Sequence, residues 1–470
     1  MTSSATADNA AMYTPRPLTV QGITIALVWL AVASGAIVFT EPAPVDALTL
    51  GLILALPIAG LLAARQMLNG ILAVGLVLAA CALLAVLQSE DVRTSTIHSL
   101  ISLYLYTACF VFASFIAQRP GPRTHLILHA YLWAAFIAAA AGIIGYLNLL
   151  PGAGELFTKY GRASGTFKDP NVFGAFLVPA VVYALHLVVT RSLTRTLLPG
   201  IMMLVLTFAT LLSYSRGAWV NLAIAAATYG YLSFITAQTN LYRLKLLSIA
   251  GFGLVVLIGA LIAALQVPEI ADQLIERASL TQSYDEGPEG RFGGQLKAIG
   301  LILQHPFGIG ALQFGGRHHF EDVHNVYLNM FLNAGWLGGF MFIAAVAITL
   351  VCGFSHLLRR TATQPLFMVA YAAFLGVALE GLLVDIDHWR HVYLLLAVIW
   401  GLMASDRMAL VSGLTSDRGP CLLPEVTLLA PQREARITGP ASRRLPRIMP
   451  APRRLQPQPR PRRPSRIDYR

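Results

Sequence analysis

Apolar runs of about 20 residues, the length that crosses a hydrocarbon core about 30 Å thick, recur along this chain between short polar connections. They predict spans near 21–40, 47–64, 67–88, 98–117, 125–149, 171–190, 196–214, 218–237, 246–266, 324–353, 366–384 and 391–404. A membrane barrel would instead show short segments of alternating polarity. The pattern predicts an all-α polytopic membrane protein with about twelve transmembrane helices.

Two connections are long. Residues 150–170 form the shorter one. The longer, 267–323, holds a predicted amphipathic helix at 269–280, with Ile270, Leu274, Ile275 and Ala278 on one side. Residues 295–304 are apolar but too short to span, so they are predicted to lie at the membrane interface and roof a cavity. His305-Pro306-Phe307-Gly308-Ile309-Gly310 then ends any helix. Residues 1–20 are polar with no signal-peptide pattern, and the first span is predicted to remain as an anchor.

Composition agrees with this class. The 470 residues are 56% hydrophobic and 12% charged, with a mean hydropathy of +0.64, whereas a soluble protein carries about 25% charged residues. Charge also sets the orientation. Arg16, Arg65, Arg119 with Arg123, Arg191 with Arg195, Arg243 with Lys245, Arg359 with Arg360, and Arg407 fall on alternate connections. The positive-inside rule makes that side cytoplasmic, with both termini inside. Residues 405–470 hold fourteen arginines against five acidic residues, 14 − 5 = +9 of the total +11, and are rich in proline. They are predicted to be a disordered cytoplasmic tail touching anionic membrane lipid; no nucleic-acid partner is predicted. Cys81, Cys109 and Cys352 fall in spans and Cys421 in the tail, a pattern that predicts neither a disulfide nor a metal site.

Candidate chemistry centres on Asp322-Val323-His324-Asn325-Val326-Tyr327-Leu328-Asn329, which runs on through Asn333 to Gly335-Trp336-Leu337-Gly338. Asp322 or Asn325 can cap a helix whose positive end attracts anions such as phosphate. That field disfavours imidazolium, so a neutral His324 could accept a proton from a hydroxyl nucleophile; a plain helix-end histidine is the competing reading. At about 100° per residue, Phe331, Gly335 and Gly338 come round to the face of His324, where the glycines would let another helix or a lipid chain approach closely. Asn325, Asn329 and Asn333 form a neighbouring stripe, with interhelical hydrogen bonding preferred for the last two.

The outer side carries Lys159, Arg162, Lys168, Arg216, Arg277, Arg291, Lys297, Arg317 and Arg390, with His318, His319, His324, His388 and His391 near them. Arg216 sits in the tight turn Ser213-Tyr214-Ser215-Arg216-Gly217, where a guanidinium either grips phosphate bidentately or snorkels to the interface. Glu380 lies inside an apolar span, beside a cluster of Asp385, Asp387, His388 and Arg390. It is either functional or the structural partner of an arginine. No phosphate-binding loop, dinucleotide fingerprint or His-Glu-x-x-His pattern occurs, and no cofactor is predicted.

His324-Asn325, nine residues, then Gly335-Trp336-Leu337-Gly338 resembles the signature of the O-antigen ligase and polysaccharide polymerase superfamily. Ser215-Arg216-Gly217 resembles its Ser-Arg-Gly turn, and Gly290-Arg291 followed by His305-Pro306-Phe307-Gly308-Ile309-Gly310 resembles its loop pattern. Gly165-Thr166-Phe167 with Asn171 is similar to an earlier segment. The resemblance covers about 160–400. It implies a fold of the GT-C glycosyltransferase type, a domain over 21–404, and a metal-independent, inverting transfer at the periplasmic face of the bacterial inner membrane. The donor would be an undecaprenyl-pyrophosphate glycan. The acceptor would be a lipid A–core sugar for a ligase or another lipid-linked repeat for a polymerase, and the pattern serves both. On this sequence it implies that Arg216 and Arg291 hold pyrophosphate and that His324 assists the acceptor hydroxyl. Asn325, Arg162, Lys168, Arg317 and Arg390 complete the candidate substrate-binding set. A transporter of an anionic lipid or solute is the alternative from another class; it should show paired repeats with broken helices, and none is evident.

Overall fold

Proline and side-chain caps set where the helices begin. Asp91, Asp169, Ser215, Thr239 and Asn325 each accept a hydrogen bond from the first turn of the helix they precede, satisfying N–H groups that a helix leaves open. Pro44, Pro120, Pro170 and Pro365 occupy first-turn positions, where a missing N–H costs nothing. A computed structural model describes residues 19–266, 268–278 and 287–416.

In order the helices are α1 (Val20–Ser34), α2 (Pro44–Ile58), α3 (Gln66–Ala85), α4 (Val92–Gln118), α5 (Pro120–Tyr146), α6 (Ala153–Phe157), α7 (Pro170–Thr190), α8 (Leu197–Leu212), α9 (Arg216–Thr236), α10 (Asn240–Ala264), α11 (Pro268–Ala278), α12 (Arg291–Gln304), α13 (Val326–Leu357), α14 (Gln364–Glu380) and α15 (Arg390–Ser416). The described strands are β1 (Thr158–Lys159) and β2 (Arg162–Ala163), an antiparallel hairpin with Thr158 opposite Ala163.

Each predicted span contains one of these helices. Among the described residues, seven segments are long and apolar enough to cross a membrane, namely α4, α5, α7, α9, α10, α13, and α3 with the turn that follows it. Helices α1, α2, α8 and α14 are apolar and shorter. The chain is an all-α polytopic membrane protein. Central α7 and α14 are buried on nearly every side, with Phe173, Leu177, Phe367 and Phe374 inaccessible. On α10 the large apolar side chains Phe252, Leu254 and Val255 are exposed, as a lipid-facing helix requires.

Two boundaries differ from the hydropathy reading. The span predicted at 21–40 leaves the helix after Ser34, and Val38 donates its N–H to Thr166 O at 2.9 Å in extended backbone. Hydropathy counts Val38 as span because it is apolar, although it is buried against the 150–170 connection. Residues 405–416, read as the start of a disordered tail, continue α15. Nothing in their sequence breaks a helix before Gly413, and even that residue is passed. The remainder of the predicted tail and most of the N-terminal segment lie outside the described residues.

The connections alternate between two ends of the bundle, as the basic residues predict. At one end Gln118 Nε2 reaches Gly60 O, Arg123 reaches Leu61 O, and Lys245 Nζ reaches Val189 O and Arg191 O. Glu41 meets Lys168, Asp46 meets Arg390, Glu90 meets Arg317, and Arg162 meets Ser213 O at the other end. Both long connections lie at this second end, and Gly161 in the hairpin approaches Gln273 on α11. Helix α12 packs Ala298 and Ile302 into a small core with Phe314, Val323 and Leu332. Its Phe292, Leu296, Ile299 and Leu303 remain exposed, the apolar face an in-plane interfacial helix presents.

Candidate active site

Asn325 caps α13 by accepting from the N–H groups of Tyr327 and Leu328 at 3.0 and 3.2 Å. His324, one residue earlier, lies outside the helix with φ +50°. A non-glycine residue in that region stores strain that its surroundings must hold. The holding contacts flank it. Val326 N–H donates to Gly381 O at 2.9 Å, and His324 Nε2 lies 3.2 Å from Glu321 Oε2. The ring is about one-third exposed at 32%. An imidazole held by a carboxylate and open on one side is the arrangement of an oriented general base.

Because His324 precedes the helix, it shares no helical face with Gly335 and Gly338. Gly335 itself breaks the helix, at φ 68° and ψ −174°, and the break is filled by the other glycine motif. Trp336 N–H donates to Pro306 O at 2.8 Å, and Ile309 and Gly310 N–H donate to Leu332 O at 2.8 and 3.2 Å. A Cβ on Gly308 would lie 2.5 Å from Leu332 O, and one on Gly335 would lie 2.6 Å from Pro306 O. The two motifs are therefore one interlock of backbone on backbone, not a groove for a lipid chain.

Arg216 is the first residue of α9, after the Ser215 cap. Glu380, at the end of α14, sits against this turn: a Cβ on Gly217 would be 2.8 Å from its Oε1. Its Oε2 accepts from Asn221 Nδ2 at 2.7 Å. The next residue, Gly381, holds Val326. The end of α14 thus joins the Ser-Arg-Gly turn to the His324 segment. Arg291 begins α12 after Gly290. Three residues on, Gly294 packs against the His319 ring, whose Nδ1 lies 3.3 Å from Glu321 N. Arg291 and Arg216 are therefore each tied through a short chain of contacts to residues 321–326.

The other candidates take different places. Arg162 donates from Nε to Ser213 O and from a terminal nitrogen to Asn171 Oδ1, both at 2.7 Å, stitching the 150–170 connection to the turn before Arg216. Arg390 grips Asp46 bidentately at 2.7 Å, with Glu41 at 3.8 Å; its fork is turned to protein carboxylates. Lys168 pairs with Glu41 at 3.3 Å and Arg317 with Glu90 at 3.1 Å, in exposed contacts. Sequence reasoning missed Glu321, Glu41, Asp46 and Glu90. Of these only Glu321 carried a local signal, three residues before His324.

A cavity of about 440 Å³ lies beside this region, lined by α1, α2, α4, α7 and α15 with Lys168, Asp385, Asp387, His388 and Arg390 at its polar part. Helix α12, expected to roof a cavity, does not line this one and packs on α13. Burial pushes the Asp387 carboxyl up to about 6 and the His388 imidazole down to about 4, and it raises Asp385 well above the usual carboxylate range, with the Asp387 charge adding to it. Asp385 accepts from Asn329 Nδ2 on α13.

Residues 201–343 match the family model described as O-antigen ligase, a stretch that holds Arg216, Arg291, His324 and the whole glycine interlock. Neither the curated proteins nor the solved structures yield a match. By this stretch the chain is similar to the O-antigen ligase family, and its many apolar helices are those of a multi-pass membrane protein.

Proposed function

We propose that the protein is an inverting membrane glycosyltransferase of the ligase type. It moves a glycan from an undecaprenyl-pyrophosphate donor to a hydroxyl of a lipid A–core sugar. The observation that carries this reading is the placement of Arg216 and Arg291. Each is the first residue of a helix, where a cation opposes the positive end of the helix dipole. The backbone N–H groups of a helix end together with a guanidinium fork match pyrophosphate oxygens.

In this mechanism Arg216 and Arg291 hold the pyrophosphate. His324, kept in orientation by Glu321, takes the proton of the acceptor hydroxyl as that oxygen bonds to the anomeric carbon. The bond from that carbon to the pyrophosphate oxygen breaks, and the leaving charge falls to the two arginines. Glu321 stabilises the imidazolium that forms. Asn325 fixes the helix end behind the histidine, Arg162 and Arg390 brace the surrounding connections, and Lys168 and Arg317 serve the rim. No step requires a cofactor.

The domain spans 21–404 with twelve membrane crossings in a GT-C-type arrangement. The site end faces the periplasm, and both termini are cytoplasmic. Basic connections at the opposite end support that orientation. A second lipid-linked repeat in place of the core sugar would make the same site a polymerase.

The test is transfer from purified lipid-linked donor to lipid A–core by the full chain. Wild type is expected to produce the joined product and His324→Ala none, with donor binding retained. Full activity in His324→Ala overturns the base role. Product that grows only on lipid-linked acceptor replaces ligase by polymerase. Uptake or export of an anionic solute with no glycan transfer replaces both by a transporter.

A further inference from the structure

Outside the proposed active site, His98, Asp387 and His388 each place one potential ligand atom within 4.8 Å of the others. They come from α4 and from the connection between α14 and α15. The gap of nearly three hundred residues hides the grouping from any reading of spacing. We propose that these three side chains bind a divalent transition-metal ion, Zn²⁺ foremost, and that the ion clips α4 to the α14–α15 connection.

The distances suit an ion. Metal–ligand bonds of roughly 2.0–2.1 Å in a tetrahedron put ligand atoms about 3.3–3.4 Å apart, and His98 Nε2 lies 3.4 Å from Asp387 Oδ2. The rings of His98 and His388 stack with centroids 3.8 Å apart; joint ligation opens this stack, because two imidazoles on one tetrahedral centre stand with centroids roughly 5 Å apart. Two imidazoles and a carboxylate are the donor set of zinc and its neighbours.

The surroundings are those of a ligand site. Ser102 Oγ donates to His98 O at 3.3 Å and lies 2.9 Å from His388 Nε2. When that hydroxyl donates to His98 O, His388 Nε2 is the ring donor and Nδ1 is left as the ligand atom. Fixing a tautomer through the far nitrogen is how metal-binding histidines are held. A second carboxylate stands behind the first, since Asp387 N–H donates to Asp385 Oδ1 at 3.3 Å. The nearby Arg390 is engaged by Asp46 and Glu41, so its guanidinium is turned to those carboxylates and not to Asp387.

All three ligands line the 440 Å³ cavity, so a three-ligand centre keeps its fourth position toward open space. His391 lines the same cavity, is 4% exposed, and has an Nε2 with no hydrogen-bond partner among the described residues. Such a buried ring nitrogen marks a place where something polar is accommodated. The consequence for the fold reaches α13. Asp385 holds Asn329, one turn from Asn325, so ordering the connection orders the helix that carries the His324 segment.

The experiment uses the full chain in detergent, purified without a polyhistidine tag and stripped with chelator. It is titrated with Co²⁺, whose visible absorption reports nitrogen and oxygen ligation, and then with Zn²⁺ as competitor. One equivalent of Co²⁺ is expected, displaced by Zn²⁺. Affinity should fall at least a hundredfold in His98→Ala and His388→Ala and on the order of tenfold in Ser102→Ala. Absence of stoichiometric binding in the wild type overturns the proposal, as does unchanged affinity in both histidine variants. If those variants do not fold, Ser102→Ala decides, because it removes only the hydroxyl behind His388 and unchanged affinity there has the same force.

Discussion

His324 Nε2 and Glu321 Oε2 meet at 3.2 Å across a single turn of chain, while the histidine backbone is held at φ +50°. The carboxylate fixes the ring and the strained backbone aims it, so the pair acts as a unit. Glu321→Gln keeps the shape and removes the charge. Transfer should fall on the order of 10²-fold, in turnover and not in donor affinity, with thermal unfolding unchanged. Equal turnover in the variant would leave Glu321 without a part in the reaction.

Arg216 and Arg291 should respond to the shape of the cation and not only to its charge. Lysine retains the charge but lacks the fork that meets two phosphate oxygens at once. Arg216→Lys and Arg291→Lys should each weaken donor binding by about 1.5–3 kcal/mol, the range for charge-assisted hydrogen bonds. Equilibrium binding of lipid-linked pyrophosphate checks this, and wild-type affinity in both variants would remove the clamp.

Arg390 is expected to behave in the opposite way. Its bidentate grip on Asp46 joins α15 to α2 at the site end, with the two side chains 24% and 16% exposed. Arg390→Ala should lower stability by roughly 1–3 kcal/mol, less than a fully buried pair loses, while donor affinity of the folded fraction stays near that of the wild type. Asp46→Asn in the same chain should recover part of the loss, because it removes the carboxylate left unpaired. Unfolding in detergent and donor binding on the same samples separate the two effects.

The wider fold was legible because hydropathy reports burial in lipid directly, and every predicted span holds a helix. Its ends were less so. Val38 is as apolar as a membrane residue yet lies in extended backbone, and Gly413 does not stop α15. At the site, Arg216 and Asn325 were legible through their local chemistry as a turn arginine and a helix cap. The partners of Arg390 and Arg317 were not, since Asp46 and Glu90 are hundreds of residues away and only folding joins them. Gly335 was read as a place for close approach, which it is, but the approaching group is the backbone of Pro306 and Phe307 and not another helix.

That interlock gives a strong stability prediction. Gly335 combines φ 68° with a backbone carbonyl 2.6 Å from where a Cβ would stand, and neither obstacle yields to a side-chain rotation. Gly335→Ala should destabilise the protein by at least about 1–3 kcal/mol from backbone strain alone, with the clash in addition. Gly230→Ala on α9, where an added Cβ meets nothing within 4 Å, should be neutral or slightly stabilising. A difference in melting temperature between the two variants checks this, and equal melting would contradict the interlock.

Because the ladder of α13 is interrupted at Gly335, the helix is two rods whose joint is clamped by the loop at 306–310. Bilayers differ in thickness, and a long helix ordinarily answers by tilting as a whole. Here the rod after Gly335 is tied to its neighbours, Tyr371 Oη donating to Leu350 O, Trp400 Nε1 donating to Thr349 Oγ1 and His356 meeting Asp406, while the rod before it is pinned to the loop and to Gly381. The two parts of α13 thus have separate anchors, so the end that carries Asn325 takes its position from the loop and from α14 and not from the lie of the long apolar rod in the lipid.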